Sequence, residues 1–264
     1  SIPANVFFLG LAAISLVTCL AITVKTRRYV LFSAALCLAC LVEVLAYGLR
    51  FQSWAFVAYA LNFSMSTVAP VFITIAIHFA TAPVLQALGP EHAVIPPEHH
   101  MRFFTWCDIT ALLIQCVGLG VTYSGARSTS PWVILLTKSG HTGQSILSVG
   151  LLLQTLLLAT ALSLLTAAYV RAGKAHRQYG YTTFHRGAPG YMPIDPRLRV
   201  FLVVLPLAGT CVLARCIYRT AAAWDGIGGS LGRSQVAWIM AEGFTLTEAL
   251  VSLALFHPAI WAKD

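Results

Sequence analysis

The sequence predicts an all-α integral membrane protein, built as a bundle of seven transmembrane helices. Of its 264 residues 58% are apolar and only 10% are charged, and the mean hydropathy is +0.78. A soluble globular protein needs more polar surface than this composition provides, so lipid must act as solvent for much of the chain. A bilayer core about 30 Å thick needs roughly 20 mostly apolar residues per helix, and seven such helices use well over half of the sequence. We therefore expect residues 1–264 to form a single transmembrane domain.

Seven apolar runs follow one another along the chain, and basic residues stand between most of them. Lys25 directly follows the first run, Arg50 follows the second, and Arg102 precedes the fourth. Each run is long enough to cross the hydrocarbon core as a helix. The expected spans are residues 3–24, 29–49, 54–80, 103–123, 144–170, 198–222 and 234–256.

The distribution of basic residues predicts the orientation of the bundle. One set of connecting segments holds eleven of the seventeen Lys and Arg residues, and the other set holds four. Cytoplasmic loops are enriched in Lys and Arg. We therefore expect the N-terminus outside and the C-terminus in the cytoplasm, in a plasma membrane or endomembrane. The larger set consists of Lys25, Arg27, Arg28, Arg102, Arg171, Lys174, Arg177, Arg186, Arg197, Arg199 and Lys263.

Other features of the composition have ordinary explanations. The formal charge of +8 comes from basic residues in connecting segments, without the interleaved aromatic residues of a nucleic-acid surface, so we expect no nucleic-acid partner. The cysteines lie inside apolar runs and are interpreted as packing residues. Metal-capable side chains between His92 and His100 lack a helical HxxxH or a CxxC partner. We expect no metal and no cofactor.

Polar side chains inside the spans are the best candidates for function. An ionisable group at hydrocarbon depth is costly unless it faces water, the bundle interior or a partner. As a set, these residues predict a polar cavity that binds an amphipathic small molecule. Any single one of them is also explained by a buried ion pair or hydrogen bond that fixes the register between two helices. The candidates are Glu43, Asn62, His78, Asp108, Gln115, Gln154, Arg215, Arg219, Glu242 and Glu248.

Spacing within a helix suggests which candidates act together. Arg215 and Arg219 are four residues apart and share a helix face, which makes Glu43 or Glu242 their natural partner. Asp108 and Gln115 are seven residues apart and also share a face.

Several local patterns also occur in a characteristic order. Ala69-Pro70 lies in the third span, and the last span has an acid, Glu242, fifteen residues before His257-Pro258. Between them come Phe104, Asp108, Gln115, Gly118 and Gly120 in the fourth span, Gly143-Gln144, Gly150-Leu151 and Gln154 in the fifth, and Arg215, Arg219 and Gly226 in and after the sixth.

By these motifs the chain resembles the fungal lipid-translocating exporter family, the RTA-like seven-span proteins linked to aminocholesterol resistance. The likeness covers about residues 62–258. It departs from the pattern at Ala222 and Gln235, where the family usually has glutamate, and around His78, where a tyrosine is expected.

The resemblance implies movement of amphipathic lipids such as sphingoid bases, and tolerance to sterol-like toxic compounds. The amine of a sphingoid base would then pair with an acid among the candidates. An alternative is an integral-membrane enzyme, a terpene-cyclase-like protein or isomerase, in which Asp108 and Glu242 act as buried acids on an apolar substrate. A third hypothesis is a receptor-like sensor, which rests on the seven-span outline alone.

Overall fold

The computed structural model describes residues 2–52, 56–124, 138–180, 196–225 and 234–261. Within these ranges seven helices are long and apolar enough to cross a membrane, and no strand occurs. The predicted all-α fold with seven spans is therefore confirmed, and the protein is a multi-pass integral membrane protein. The expected start of the third span at residue 54 lies outside the described residues, as do Arg127, Arg186, Arg233 and Lys263.

The helices are named α1 to α8 in chain order. A short 3-10 turn, Arg50–Gln52, continues α2, and α7 consists of Gln235–Trp238, a π-helical stretch Ile239–Phe244 and Thr245–Leu255. The other bounds are Ile2–Thr26 for α1, Val30–Leu49 for α2, Phe56–Leu88 for α3, Pro97–Ser124 for α4, Lys138–Tyr179 for α5, Pro196–Asp225 for α6 and Pro258–Trp261 for the short α8.

Three helices extend beyond the spans predicted from hydropathy. Helix α3 continues to Leu88 instead of residue 80, α4 begins at Pro97 instead of residue 103, and α5 covers 42 residues in place of 144–170. Hydropathy marks only the part of a helix that crosses hydrocarbon. Good helix formers such as Ala172 and Lys174 continue α5 into the polar interface, where charge is tolerated.

Successive helices run in opposite directions, which gives the bundle two ends. The Arg50 end holds the start of α1, the end of α2 and the start of α7, as shown by the hydrogen bond that Asn5 Nδ2 donates to the Tyr47 carbonyl at 3.0 Å. The Lys25 end holds the end of α1, the start of α2 and the end of α7. We use these two names below.

Helix α3 is the central helix of the bundle. Neighbours in sequence pack against one another, α1 also packs against α7, and α3 contacts α2, α4, α5 and α6. The most apolar window of α3 is 72% buried, compared with 22% for α1. Small residues allow this packing, because Ala69, Ala76 and Ala80 of α3 are fully buried. Lipid provides no hydrophobic drive between helices, so close backbone contact and dispersion hold such a bundle together.

Helices α4 and α5 approach one another most closely along a line of glycines. A Cβ atom added at Gly118 would lie 2.6 Å from the backbone nitrogen of Leu147, and one added at Gly150 would lie 2.8 Å from Cγ of Gln115. A Cβ at Gly143 would meet the backbone and hydroxyl of Thr122. Only glycine fits at these three positions, which explains Gly118 in the fourth span and Gly143 and Gly150 in the fifth.

A histidine that follows α7 joins this helix to the start of α2 at the Lys25 end. The Nδ1 atom of His257 accepts a hydrogen bond from the Ala259 N–H at 3.2 Å, so Nε2 carries the proton. Nε2 lies 2.9 Å from Ser33 Oγ, which itself donates to the Tyr29 carbonyl at 3.0 Å. The imidazole also packs edge-on against Phe32. His257-Pro258 therefore anchors α7 and α8 to the start of α2.

We expect His257→Ala to destabilise the bundle by about 1–3 kcal/mol, because it removes a buried hydrogen bond and leaves a gap beside Phe32. Thermal unfolding in detergent, followed by tryptophan fluorescence, measures the loss. Ser33→Ala removes only the hydrogen bonds of the hydroxyl and should cost about 1 kcal/mol. An unchanged unfolding temperature for His257→Ala would show that this contact does not stabilise the bundle.

Candidate polar cavity

A cavity of about 420 Å³ lies among five helices at the Arg50 end, and we call it the polar cavity. Its volume lies in the range of small-molecule sites, roughly 300–1,000 Å³. Buried Glu43 and Glu242 lie at its inner part, and half-buried Arg50 and Trp238 lie near the helix ends. The lining comes from Glu43, Ala46, Tyr47 and Arg50 of α2 and the turn after it, Tyr59, Asn62, Phe63, Ser66 and Thr67 of α3, Gln144, Leu147 and Leu151 of α5, Tyr218, Arg219, Ala222 and Ala223 of α6, and Trp238 and Glu242 of α7.

Glu242 is held between two arginines and a serine, a group that we call the Glu242 cluster. Its Oε1 lies 2.5 Å from Arg219 Nε, and its Oε2 lies 3.4 Å from Arg215 Nη2. Ser66 Oγ donates to Glu242 Oε2 at 3.2 Å and accepts from both arginines at 3.3 Å. Arg215 also donates to the Ser66 carbonyl. Of the two partners that the sequence left open for the arginines, the structure selects Glu242.

A local change in helix geometry brings Glu242 into the cluster. Residues Ile239–Phe244 are π-helical, which adds a residue to the turn and changes the direction of the side chains on either side. Such stretches are rare and are frequent at functional sites. Gly243 follows Glu242, and a Cβ there would meet the ring of Phe8, so α1 packs directly on this part of α7.

Glu43 lines the same cavity without sharing in the cluster. Its side chain is 2% exposed, and its Oε1 has no hydrogen-bond partner among the described residues. Asn62 lies opposite on α3 and donates from Nδ2 to the Ala46 carbonyl at 2.6 Å, which joins α3 to α2 beside Glu43. The cavity thus contains one carboxyl group balanced by arginines and a second that is available to a ligand.

Aromatic rings and guanidinium groups form the outer part of the cavity. The Arg50 guanidinium carbon lies 3.4 Å from the centroid of the Trp238 ring, and that of Arg219 lies 4.8 Å from the Phe63 ring. Tyr59 stacks on Phe63 at a centroid distance of 6.5 Å. Cation–π contacts of this kind hold a guanidinium in place while its N–H donors remain free for another partner.

Two of the predicted site residues form a separate pair nearer the Lys25 end. His78 Nε2 lies 3.1 Å from Asp108 Oδ2, and both side chains are fully buried. The ring of His78 stacks on Phe104 at 5.3 Å, and Phe104 in turn contacts the buried ring of His100. This pair joins α3 to α4 and does not line the polar cavity.

The remaining predicted residues also lie away from the cavity. Gln115 Nε2 donates to Gln154 Oε1 at 2.8 Å and reaches the Gly150 carbonyl at 3.4 Å, which joins α4 to α5. Glu248 is half-buried on α7. Four of the ten sequence candidates line the polar cavity, Arg215 lies beside it in the Glu242 cluster, and five lie elsewhere in the bundle; the four are Glu43, Asn62, Arg219 and Glu242.

This separation bears on the enzyme alternative. Of its two candidate acids, Glu242 lines the polar cavity and Asp108 does not. Glu242 is also ion-paired with two guanidinium groups, so its carboxyl group is already engaged within the protein. The geometry therefore gives acid catalysis by this pair no support.

Sequence reasoning missed most of the cavity lining, including four polar or aromatic residues that bear on its chemistry. Arg50 was assigned to a connecting segment, although it lies one turn from Tyr47 and lines the cavity. Ser66 bridges the Glu242 cluster, but hydroxyl residues are common in membrane helices and gave no signal. Tyr47 and Trp238 lie inside predicted spans, where aromatic residues are common and gave no signal. The position of Arg50, directly after a span, was the one available signal. Ala222, where the family pattern has glutamate, also lines the cavity.

Fold and site together define a class: a seven-span helical membrane protein with a charged, partly aromatic cavity at one end. A family model described as RTA1 like protein matches residues 36–264, and the chain belongs to this family. The resemblance seen in the sequence is therefore confirmed.

Curated relatives of the chain come from Saccharomyces cerevisiae. The protein named sphingoid long-chain base transporter RSB1, in strains Lalvin EC1118 and YJM789, is 26% identical over 260 residues. The match covers 88% of this chain and 65% of the relative, so the chain spans less than two thirds of the length of these proteins. No solved structure matches the chain significantly.

Proposed function

We propose that this protein moves amphipathic lipids such as sphingoid bases, and that the polar cavity binds the headgroup. Membership of the family and the name of the yeast relatives support movement of a lipid. The cavity supports a polar headgroup, since charged side chains at this depth are retained where they serve a pathway or a partner. Its apolar wall, with Leu147 and Leu151, is suited to the start of a hydrocarbon tail.

The observation on which this proposal depends is the buried carboxyl group of Glu43. Glu242 is balanced by two arginines, whereas Glu43 lacks a partner at Oε1 and lines the cavity. A primary amine donates up to three hydrogen bonds and carries the charge that a carboxylate prefers. With the N-terminus outside, as the charge distribution predicts, this site lies in the outer half of the membrane.

We expect Glu43→Gln to lower the rate of sphingoid-base movement about 10- to 100-fold, because a charge-assisted hydrogen bond contributes about 1.5–3 kcal/mol. The assay uses purified protein in liposomes and a labelled sphingoid base, with back-extraction by albumin to follow its transfer between leaflets. Glu248→Gln is the matched control, since Glu248 is a half-buried acid outside the cavity.

Control liposomes without protein give the spontaneous rate. If Glu43→Gln moves the lipid as fast as the parent, headgroup binding at Glu43 is wrong. If the parent does not exceed empty liposomes, lipid movement itself is wrong.

A further inference from the structure

Two ionisable side chains, one acidic and one basic, line the polar cavity without a salt-bridge partner among the described residues. Glu43 has the free oxygen described above. Arg50 rests on Trp238, and within the described part of the chain it forms no salt bridge. A buried or half-buried charge without a counter-ion is unusual unless a ligand supplies one. The cavity therefore offers one site for a cation and one for an anion.

The sum of charges in and beside the cavity is positive. Three guanidinium groups, of Arg50, Arg215 and Arg219, face two carboxyl groups, of Glu43 and Glu242. The net charge is +1 when Glu43 is ionised and +2 when it is neutral. A ligand with an ammonium group alone adds a like charge in either case, whereas a ligand that also carries a phosphate monoester, with a charge of about −1.5 to −2, balances it.

The positions of the two side chains suit groups on neighbouring carbons of one ligand. Glu43 and Arg50 are seven residues apart, so they face the same side of the helix about 10 Å apart along its axis. Glutamate and arginine side chains are long enough to shorten this separation when both turn towards one ligand. Arg50 is half-buried near the helix end and Glu43 is buried deeper. An anionic group would bind near water and the amine below it, and Leu151 of the cavity wall is available to the start of the tail.

We propose that the preferred ligand of the polar cavity is a single-chain lipid with a primary amine and a phosphate monoester on adjacent carbons. Glu43 binds the ammonium group, and the Arg50 guanidinium binds two phosphate oxygens in a bidentate contact. This proposal rests on the proposed function, and it refines the headgroup from an amine to an amine with a phosphate.

Binding measurements on the purified chain in detergent test the proposal. The probes are a sphingoid base, the same base as its 1-phosphate, and a monoalkyl phosphate of equal chain length that lacks the amine. We expect the parent to bind the base phosphate at least ten-fold more tightly than either single-charge lipid. Arg50→Gln should reduce the preference for phosphate over free base to less than three-fold and leave binding of the free base unchanged or stronger. Glu43→Gln should weaken the binding of the sphingoid base and of its phosphate about ten-fold. It should leave the binding of the monoalkyl phosphate unchanged.

Two further variants keep the result interpretable. Arg50→Lys retains the charge but not the bidentate geometry, and should give an intermediate preference. Arg102→Gln removes an exposed arginine of α4 near the Lys25 end and should change nothing. Equal binding of base and base phosphate by the parent, or an unchanged preference in Arg50→Gln, overturns this inference alone. Absence of binding by all three lipids overturns both this inference and the proposed function.

Discussion

Glu242→Ala is expected to destabilise the folded bundle by about 3–5 kcal/mol, because it breaks a buried ion-pair cluster. The substitution leaves Arg215, which is 1% exposed, and Arg219, which is 15% exposed, without their counter-ion. It also removes the acceptor of the Ser66 hydroxyl. Two uncompensated guanidinium groups in a buried site repel each other and cannot recover their hydration. Thermal unfolding in detergent, or the fraction of monodisperse protein after solubilisation, measures the effect.

Two companion variants distinguish the loss of the Glu242 ion pairs from the loss of an acidic side chain elsewhere on the same helix. Glu248→Ala removes an acid of the same helix outside the cluster and should cost about 1 kcal/mol or less. The double variant Glu242→Ala, Arg215→Met removes one of the two unbalanced charges and should recover part of the loss. An unfolding temperature equal to that of the parent in Glu242→Ala would refute the Glu242 cluster as a stabilising unit.

Gly118→Leu is expected to prevent the close approach of α4 and α5, at a cost of about 3 kcal/mol or more. Even a Cβ atom at this position would lie 2.6 Å from the backbone nitrogen of Leu147 and 2.9 Å from the Gly143 carbonyl oxygen. Backbone atoms cannot turn aside as a flexible side chain can, so the helices must separate along their contact. Detergent-solubilised yield and unfolding temperature report the result.

Gly120 provides the matched control on the same helix. It is exposed, and a Cβ there would have nothing within 4 Å. Gly120→Leu should be neutral or stabilise by up to about 1 kcal/mol, because glycine is a poor helix former. If both leucine variants behave alike, the α4–α5 contact is not as close as the structure gives it.

Much of the fold could be predicted from the sequence because a lipid solvent leaves few alternatives. Each helix must satisfy its own backbone hydrogen bonds and present some 20 apolar residues to lipid. The number and order of the spans can therefore be predicted from hydropathy. The helix ends were less readable, since α5 continues well past residue 170 as a polar, alanine-containing helix. Hydropathy shows which residues can lie in lipid. It does not show where the backbone hydrogen bonds of a helix end.

The candidate site was only partly predictable, for a geometric reason. Charged residues such as Glu43 and Glu242 stand out within apolar runs, and both line the polar cavity. Which of them pairs with Arg219 depends on the rotation of three helices and on the π-helical stretch of α7, neither of which leaves a clear pattern in sequence. Asp108 stood out equally, yet it pairs with His78 nearer the Lys25 end and does not line the polar cavity. Depth along a helix could be estimated, but helix rotation could not.

Photo-crosslinking with a sphingoid base that carries a diazirine beside its amine tests headgroup binding in the polar cavity most directly. After irradiation in liposomes, mass spectrometry of peptides locates the adducts. We expect them on cavity residues such as Tyr47, Tyr59 and Trp238, with competition by unlabelled base and loss in Glu43→Gln. Adducts spread over lipid-facing residues such as Trp106 and Val203, with the same yield in Glu43→Gln, would contradict headgroup binding in this cavity.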